Sequence, residues 1–181
     1  NLMVECALPD GLLVIGESAF HGCNNLYFSA IPPSVNVIGS RAFSGVDRVH
    51  SVTIPSSVLL IGENPFGYCN NLCAFSVDPD NKYYSSSDDG VLFNKNKTEL
   101  IQYPIGALQE IYSIPEGVVH IGPEAFAGCN LQTVTFPDSV ISIGDRAFSE
   151  CGDLSDIGFG NGLLNIGAAA FAMCENLAEV V

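Results

Sequence analysis

Seven cysteines and three histidines are the residues of this 181-residue chain that could support nucleophilic or metal chemistry. Five of the cysteines share one position of a repeated motif: Cys23, Cys69, Cys129, Cys151 and Cys174. Val46 occupies that position in the second copy of the motif. A position that accepts Val or Cys favours a small apolar side chain, and a buried free cysteine behaves as one. We therefore expect free thiols in the core.

The remaining reactive groups do not converge on one place. The chain contains no C-x-x-C pair, and Cys69 and Cys73, which are the nearest pair, have no histidine close in sequence. His21, His50 and His120 occupy different repeat positions, so at most one of them could face a given cysteine. The nucleophile elbow, H-E-x-x-H and P-loop motifs are also missing. The sequence predicts a protein that is not an enzyme, with no metal site and no cofactor.

A polar stretch, "DPDNKYYSSSDDG" (78–90), offers a different chemistry. Clustered Asp and Asn oxygens suit a hard cation, which makes Asp78, Asp80 and Asp88 candidate calcium ligands. The stretch lacks the spacing and the terminal Glu of an EF-hand. A solvated turn is the competing interpretation, because Asp, Asn and Ser favour turns. The sequence leaves both interpretations open.

The motif that carries the cysteines also predicts the elements that position them. "IGESAFHGC" (15–23) returns with small changes at 61–69, 121–129, 143–151 and 166–174. The spacing of the motif phenylalanines is 23 residues in the series Phe20, Phe43, Phe66, and 22 and 23 residues in the series Phe126, Phe148, Phe171. Runs such as "LQTVTFP" (131–137) alternate apolar and polar residues, which is typical of a half-buried strand. We expect a second short extended run before the Gly, and then one helical or 3-10 turn that the Phe presses against the core.

A unit of this length cannot bury its own apolar side, but stacked units can. We therefore expect six phenylalanines to lie above one another at about the 4.8 Å spacing of strands. "IPSSVLLIGENPFGYCNNL" (54–72) resembles the BspA-like, or Treponema pallidum type, leucine-rich repeats, and the resemblance covers 8–177. It implies an α/β fold, namely a right-handed, curved leucine-rich-repeat solenoid with a parallel concave β-sheet.

The regular spacing is interrupted once. Pro55 and Pro115 are 60 positions apart, and the extra block at about 78–107 contains "VLF" (91–93) and "ELIQY" (99–103) on either side of "NKNKT". This pattern predicts a β-hairpin in a modified repeat that projects from one flank of the solenoid. We expect one domain over 1–181. Because neither end resembles the polar cap that a solenoid needs, we expect a fragment of a longer chain.

Charge and hydropathy limit the partners. Twenty acidic and six basic residues give a net charge of −14, which repels nucleic acid and anionic membrane surfaces. No apolar run approaches the roughly 20 residues that a membrane helix needs. The resemblance implies a protein ligand, with host extracellular proteins among the candidates, and an extracellular or cell-surface location. We expect a monomer, or weak self-association through the uncapped ends.

The remaining candidate site is the outward face of the stacked strands, where alternate side chains form columns. We expect these binding residues to be exposed there: Tyr27, Phe28, His50, Thr53, Gln132 and Thr133. Tyr27 and Phe28 would be adjacent aromatic anchors of the kind that dominate interfaces. Two functions follow from this surface. The chain is a protein-interaction or adhesion module, or it is a structural spacer that holds another domain away from a cell surface.

Overall fold

The computed structural model describes residues 4–5, 7–28 and 30–178, which form a β-solenoid of about seven coils. Its secondary structure in this part of the chain consists of short strands: β1 (Val4–Glu5), β2 (Val14–Ile15), β3 (Leu26–Tyr27), β4 (Val37–Ile38), β5 (Ser51–Ile54), β6 (Leu60–Ile61), β7 (Ala74–Val77), β8 (Tyr84–Ser86), β9 (Leu92–Asn94), β10 (Glu99–Gln102), β11 (Ile111–Ser113), β12 (His120–Ile121), β13 (Thr133–Thr135), β14 (Ser142–Ile143), β15 (Asp156–Gly158) and β16 (Asn165–Ile166).

The strands form two parallel rows along the solenoid, which we call the front row and the side row. The front row consists of β1–β3, β5–β7 and β11–β13–β15, and the side row of β2–β4–β6 and β10–β12–β14–β16. Partners in a row are one repeat apart, as in the pairing of Val134 with Ile157 or of Ile121 with Ile143. The predicted parallel sheet is therefore confirmed, although the front row is divided into three pieces.

The front-row strands follow the predicted alternation. In β5, Val52 and Ile54 are buried while Ser51 and Thr53 are exposed. Val52 and Ile54 therefore face the interior of the coil, and the hydroxyl residues between them face solvent, as the period of two requires.

The segment that follows each side-row strand and contains the Phe is an arc of turns. The predicted helical turn does not form, since the described residues contain no helix. Two positions in each arc have positive φ, as at Arg146 (52°) and Glu150 (62°), which breaks a helical backbone. Successive amides alternate between partners. The Ser149 amide donates to the Arg146 carbonyl in its own arc at 3.0 Å, whereas the Phe148 amide donates to Ala170 of the next coil at 2.7 Å.

The predicted phenylalanine spine is present as two stacks. Phe43 lies between Phe20 and Phe66, with ring centroids 5.3 and 5.0 Å away. Phe148 lies between Phe126 and Phe171 at 4.6 and 5.2 Å. Tyr103 extends the second stack, with its ring 5.1 Å from Phe126. The coil of Tyr103 is the modified repeat, and it separates the two stacks.

The modified repeat contains the predicted hairpin, because β9 and β10 pair in antiparallel fashion and β8 adds a third strand. The prediction that this hairpin projects from the flank is wrong. Leu92, Phe93 and Leu100 are completely buried, and β10 pairs with β12 as a member of the side row. Alternate side chains of β9 enter the two core clusters on either side, so the hairpin is part of the stack.

The buried cysteines confirm part of the thiol prediction. Cys69, Cys129 and Cys151 are buried free thiols, whereas Cys174 is half-buried and Cys23 is exposed, which was not expected. The Cys69 thiol donates to the Phe43 carbonyl of the preceding coil at 3.2 Å, and Cys151 and Cys174 repeat this bond. Cys23 has no described arc before it that could supply the carbonyl.

The polar stretch at 78–90 is a turn followed by β8. The Asp78 carboxylate accepts a hydrogen bond from the Asp80 amide at 2.9 Å, which is an Asx-turn. Across the ranges that the structure describes, no group of three or more His, Cys, Asp or Glu side chains is placed to hold a metal ion. The Asx-turn is the local structure that the second interpretation of this stretch predicts, and calcium binding stays untested.

Candidate binding surface

Two of the predicted binding residues lie together on the front row. Tyr27 ends β3 with 41% of its surface exposed, and exposed His50 directly precedes β5. Both line a shallow pocket of about 590 Å³, which we call the front pocket. Its other lining residues come from the loops that enter the front-row strands: Asn24, Asn25, Asp47, Arg48 and Asn71.

Hydrogen bonds between coils hold the floor of the front pocket. Arg48 donates to Asn25 Oδ1 at 3.3 Å, and Asn71 Nδ2 donates to the Asp47 carbonyl at 2.7 Å. The Asp47 carboxylate in turn accepts from the Asn70 amide at 3.2 Å. Arg48 has no carboxylate within 4.0 Å among the described residues. The ion pair in this part of the chain joins Arg41 and Glu124 instead. In the described chain the pocket therefore presents a guanidinium without a carboxylate partner beside a phenol and an imidazole.

Thr53 continues the same face along β5. Its hydroxyl lies 2.9 Å from Ser76 Oγ on β7, and Thr135 makes the same bond to Ser113 in the second half of the solenoid. These hydroxyls partly satisfy each other across neighbouring coils, so Thr53 contributes a small polar surface.

Phe28 is a correction to the predicted site. Only 5% of its surface is exposed, and its ring centroid is 4.7 Å from that of Phe43. The repeat aligns Phe28 with exposed Ser51 and aligns Ser29, which lies outside the described residues, with buried Val52. Strand β3 ends at residue 27, and the Phe28 ring enters the core, where a large apolar group gains most. Phe28 therefore cannot anchor an interface.

Gln132 and Thr133 lie on a different part of the front row. Gln132 lines a second shallow pocket of about 470 Å³ with Leu108 and Glu110, while half-buried Thr133 is not among its lining residues. The modified repeat separates this pocket from the front pocket, because β7 and β11 do not pair. The six predicted residues thus do not form one continuous site.

Sequence reasoning missed Arg48, Asn25 and Asn71. The signal that could have found them is the repeated "CNNL" wording at 23–26 and 69–72, which places an asparagine pair before the strand in two coils. It also missed Leu108 and Ile111, two well-exposed apolar side chains in or just after the modified repeat. Leu108 has the repeat position of Arg48 and Asn71, so the period predicts a polar side chain there and gives no expectation of an apolar one.

The fold is a leucine-rich-repeat scaffold, because its stacked coils have two strand rows and an arc centred on phenylalanine. Members of this class are generally protein-interaction modules and typically not enzymes. Six copies of the "BspA type Leucine rich repeat region" match residues 2–112 and 103–181, so the chain belongs to this family. No curated protein matches the chain in sequence. In the described ranges, no helix has the length and apolar character needed to cross a bilayer.

Solved structures share this fold. A leucine rich cell surface protein from Faecalibacterium prausnitzii A2-165 is 33% identical with a TM-score of 0.86, over 97% of this chain and 46% of that one. The pneumococcal vaccine antigen PcpA is 27% identical with a TM-score of 0.84, over 96% and 49% of the two chains. A leucine-rich repeat protein from Eubacterium ventriosum ATCC 27560 is 26% identical with a TM-score of 0.74, over 92% and 50%. The chain therefore spans about half the length of these structures.

Proposed function

We propose that this chain is a non-catalytic protein-interaction module of a cell-surface or secreted protein, and that the front pocket contacts the partner. The observation that carries this proposal is the grouping of exposed Tyr27 and His50 with Arg48, which has no carboxylate partner in the described chain, where the loops enter the front-row strands. Tyr and Arg are enriched among the residues that dominate binding energy, because they combine large apolar area with directional hydrogen bonds.

The names of two similar structures support the location. One is a leucine rich cell surface protein and another is a vaccine antigen of pneumococcus. A protein displayed at a surface meets extracellular proteins of its surroundings, so a host extracellular protein is the partner that we propose. Gln132, Thr133 and the exposed apolar pair Leu108 and Ile111 would form a second contact beyond the modified repeat.

The experiment compares variants with matched exposure on different faces. Tyr27→Ala combined with His50→Ala removes two front-pocket side chains, while Tyr83→Ala removes a tyrosine that is 50% exposed and lies outside the front pocket. Binding of each purified protein to immobilised fibronectin, laminin and collagen is measured by surface plasmon resonance. The double variant should bind at least about 100-fold more weakly, which corresponds to roughly 2.8 kcal/mol.

Two results would reject this assignment. Equal losses in the double variant and in Tyr83→Ala would remove the front pocket as the contact. No binding by the unmodified protein to any of these partners would favour the structural spacer. A spacer must be stiff, and the ladder of hydrogen bonds between arcs stiffens the stack. Circular dichroism of each variant confirms that the solenoid is folded.

A further inference from the structure

Three cysteines form a column in the second half of the solenoid. The column consists of equivalent positions in three successive arcs: Cys129, Cys151 and Cys174. In the first half, Cys69 occupies the same position, but Val46 separates it from Cys23. At this position of the repeat, thiols therefore occupy adjacent coils in the second half of the chain and not in the first.

The Cys129 thiol is oriented differently from the others in the column. Cys151 Sγ donates to the Phe126 carbonyl of the preceding coil at 3.1 Å, and Cys174 makes the equivalent bond in its own arc. The coil before Cys129 is the modified repeat, and Cys129 makes no such bond to the Tyr103 carbonyl in the described chain. Its sulfur points to the following coil instead, where it lies 3.3 Å from Cys151 Sγ. The irregular coil thus brings two thiols into contact.

The two sulfurs are buried and close enough to be joined. Cys129 and Cys151 are 1% and 0% exposed, and their arcs pack directly, since the ring centroids of Phe126 and Phe148 are 4.6 Å apart. A disulfide joins Cα atoms that are roughly 4.4–6.8 Å apart, a range that includes the spacing of about 4.8 Å between neighbouring strands. From 3.3 Å, the sulfurs must approach by about 1.3 Å to reach the bond length of about 2.05 Å. Small rotations of the two side chains can supply this approach.

We propose that Cys129 and Cys151 form a disulfide between the two coils that follow the modified repeat, and that the free thiols are its reduced state. The oxidant is a peroxide. One thiol attacks a peroxide oxygen, the O–O bond breaks, and a sulfenic acid forms as one water leaves. The second thiol attacks the sulfenic sulfur, so that the S–S bond forms as the S–O bond breaks and a second water leaves. Two thiols and one hydrogen peroxide thus give one disulfide and two waters.

Burial controls how fast the pair reacts. The thiolate is the reactive form, and the hydrogen bond with Cys129 together with burial raises the pKa of the Cys151 thiol. The link should therefore form when the arcs open locally, or before the coils close during folding. It should form faster in urea just below the unfolding midpoint than in buffer. In oxidising surroundings outside a cell, the disulfide would persist once formed.

The link also has a thermodynamic consequence. Its cysteines are 22 positions apart, so it closes a loop in the unfolded chain and lowers the conformational entropy of the unfolded state. The urea midpoint of the oxidised protein should therefore be about 1 M higher than that of the reduced protein.

The test maps the thiols of the purified protein after exposure to hydrogen peroxide, in buffer and in urea just below the midpoint. Free thiols are blocked with iodoacetamide, and the unreduced protein is digested with trypsin and an aspartate-specific protease, because Arg146 and Asp153 separate the three cysteines of the column. Mass spectrometry should show linked peptides that contain Cys129 and Cys151 and that separate on reduction with dithiothreitol. Cys174→Ser should keep this link, whereas Cys151→Ser should lose it.

Cys69 is the matched control within the same protein, since it is equally buried but has Val46 next to it in the column, and it should stay unlinked. Three outcomes would overturn the proposal: a link from Cys151 to Cys174 in place of Cys129, links to Cys69 in equal yield, or free thiols at both positions after oxidation in urea. A midpoint of the linked protein at or below that of the reduced protein would contradict the stabilising cross-link. Neither cysteine lines the front pocket, so failure here leaves the front pocket proposal unaffected.

Discussion

Replacement of Phe148 by Ala tests the principle on which the fold depends, which is that equivalent residues of successive coils share one core. The Phe148 ring is fully buried. It is stacked between Phe126 at 4.6 Å and Phe171 at 5.2 Å, and the Phe136 ring packs edge-on with its centroid 5.7 Å away. Removing the ring therefore leaves a cavity between two coils and ends three aromatic contacts at once.

The expected loss in the free energy of unfolding is about 4 kcal/mol. Buried Phe→Ala changes cost roughly 3–5 kcal/mol, and aromatic pairs add about 0.5–1.5 kcal/mol each without being additive. Phe171→Ala is the matched control, since Phe171 has the same position in its arc but is half-buried, with one stacked neighbour, Phe148, and one edge-on neighbour, Phe159, in the described chain. Its loss should be about 1–2 kcal/mol.

The chain contains no tryptophan, so unfolding in urea is followed by far-ultraviolet circular dichroism. With an m-value of roughly 2 kcal/mol per molar urea, Phe148→Ala should lower the midpoint by about 2 M. Phe171→Ala should lower it by less than about 1 M. Equal shifts for the two variants, or a shift below about 0.5 M for Phe148→Ala, would refute a continuous core built from stacked rings.

Three further predictions concern single polar groups. The Tyr112 hydroxyl is buried without a hydrogen-bond partner in the described chain, so Tyr112→Phe should raise the free energy of unfolding by about 1 kcal/mol. The control is Tyr103→Phe, which should not raise it, because the Tyr103 hydroxyl loses a hydrogen bond to the Gln109 side chain. Glu124→Gln should cost about 1–3 kcal/mol at pH 7. Because the pKa of Glu124 is lowered by folding, this difference should shrink as the pH falls below about 4.3 and vanish below the folded-state pKa, as urea unfolding at several pH values would show. Maleimide should label exposed Cys73 in the native protein but label Cys69 only in urea, because burial raises the pKa of the Cys69 thiol to about 12. Peptide mapping distinguishes the two labelled cysteines. Rapid labelling of Cys69 in the native protein would contradict its place in the core.

The period of the sequence was sufficient to predict the stacking and the strands. A core position such as Val134 lies between exposed or half-exposed threonines, and the same pattern recurs one repeat later at Ile157, so each coil predicts its neighbour. The hairpin could be predicted as well, because "VLF" and "ELIQY" have strand character of their own. Its integration into the stack could not be predicted, since that depends on the pairing of β10 with β12 across many residues.

The conformation of the arcs was not visible in the sequence for a different reason. Positive φ is expected of glycine, and Gly128 has it, but Arg41, Glu124 and Arg146 adopt it as well at 52–54°. These residues accept the local strain because the ladder of amide bonds between coils fixes the backbone around them. Local propensity favours a helical turn, and the contact between coils overrides it.

The candidate site was only partly predictable because the repeat describes what the coils share, whereas binding requires what distinguishes them. A perfectly regular solenoid would present the same shallow surface in every coil. The pockets of this chain form instead where one coil departs from the pattern. Arg48 has the position that Asn25, Asn71 and Asp153 have in other coils, and exposed Leu108 has this position in the modified repeat. Arg41 and Glu124, 83 positions apart, are in contact across the modified repeat. In a repeat protein, the departures from the period are therefore the positions from which function should be argued.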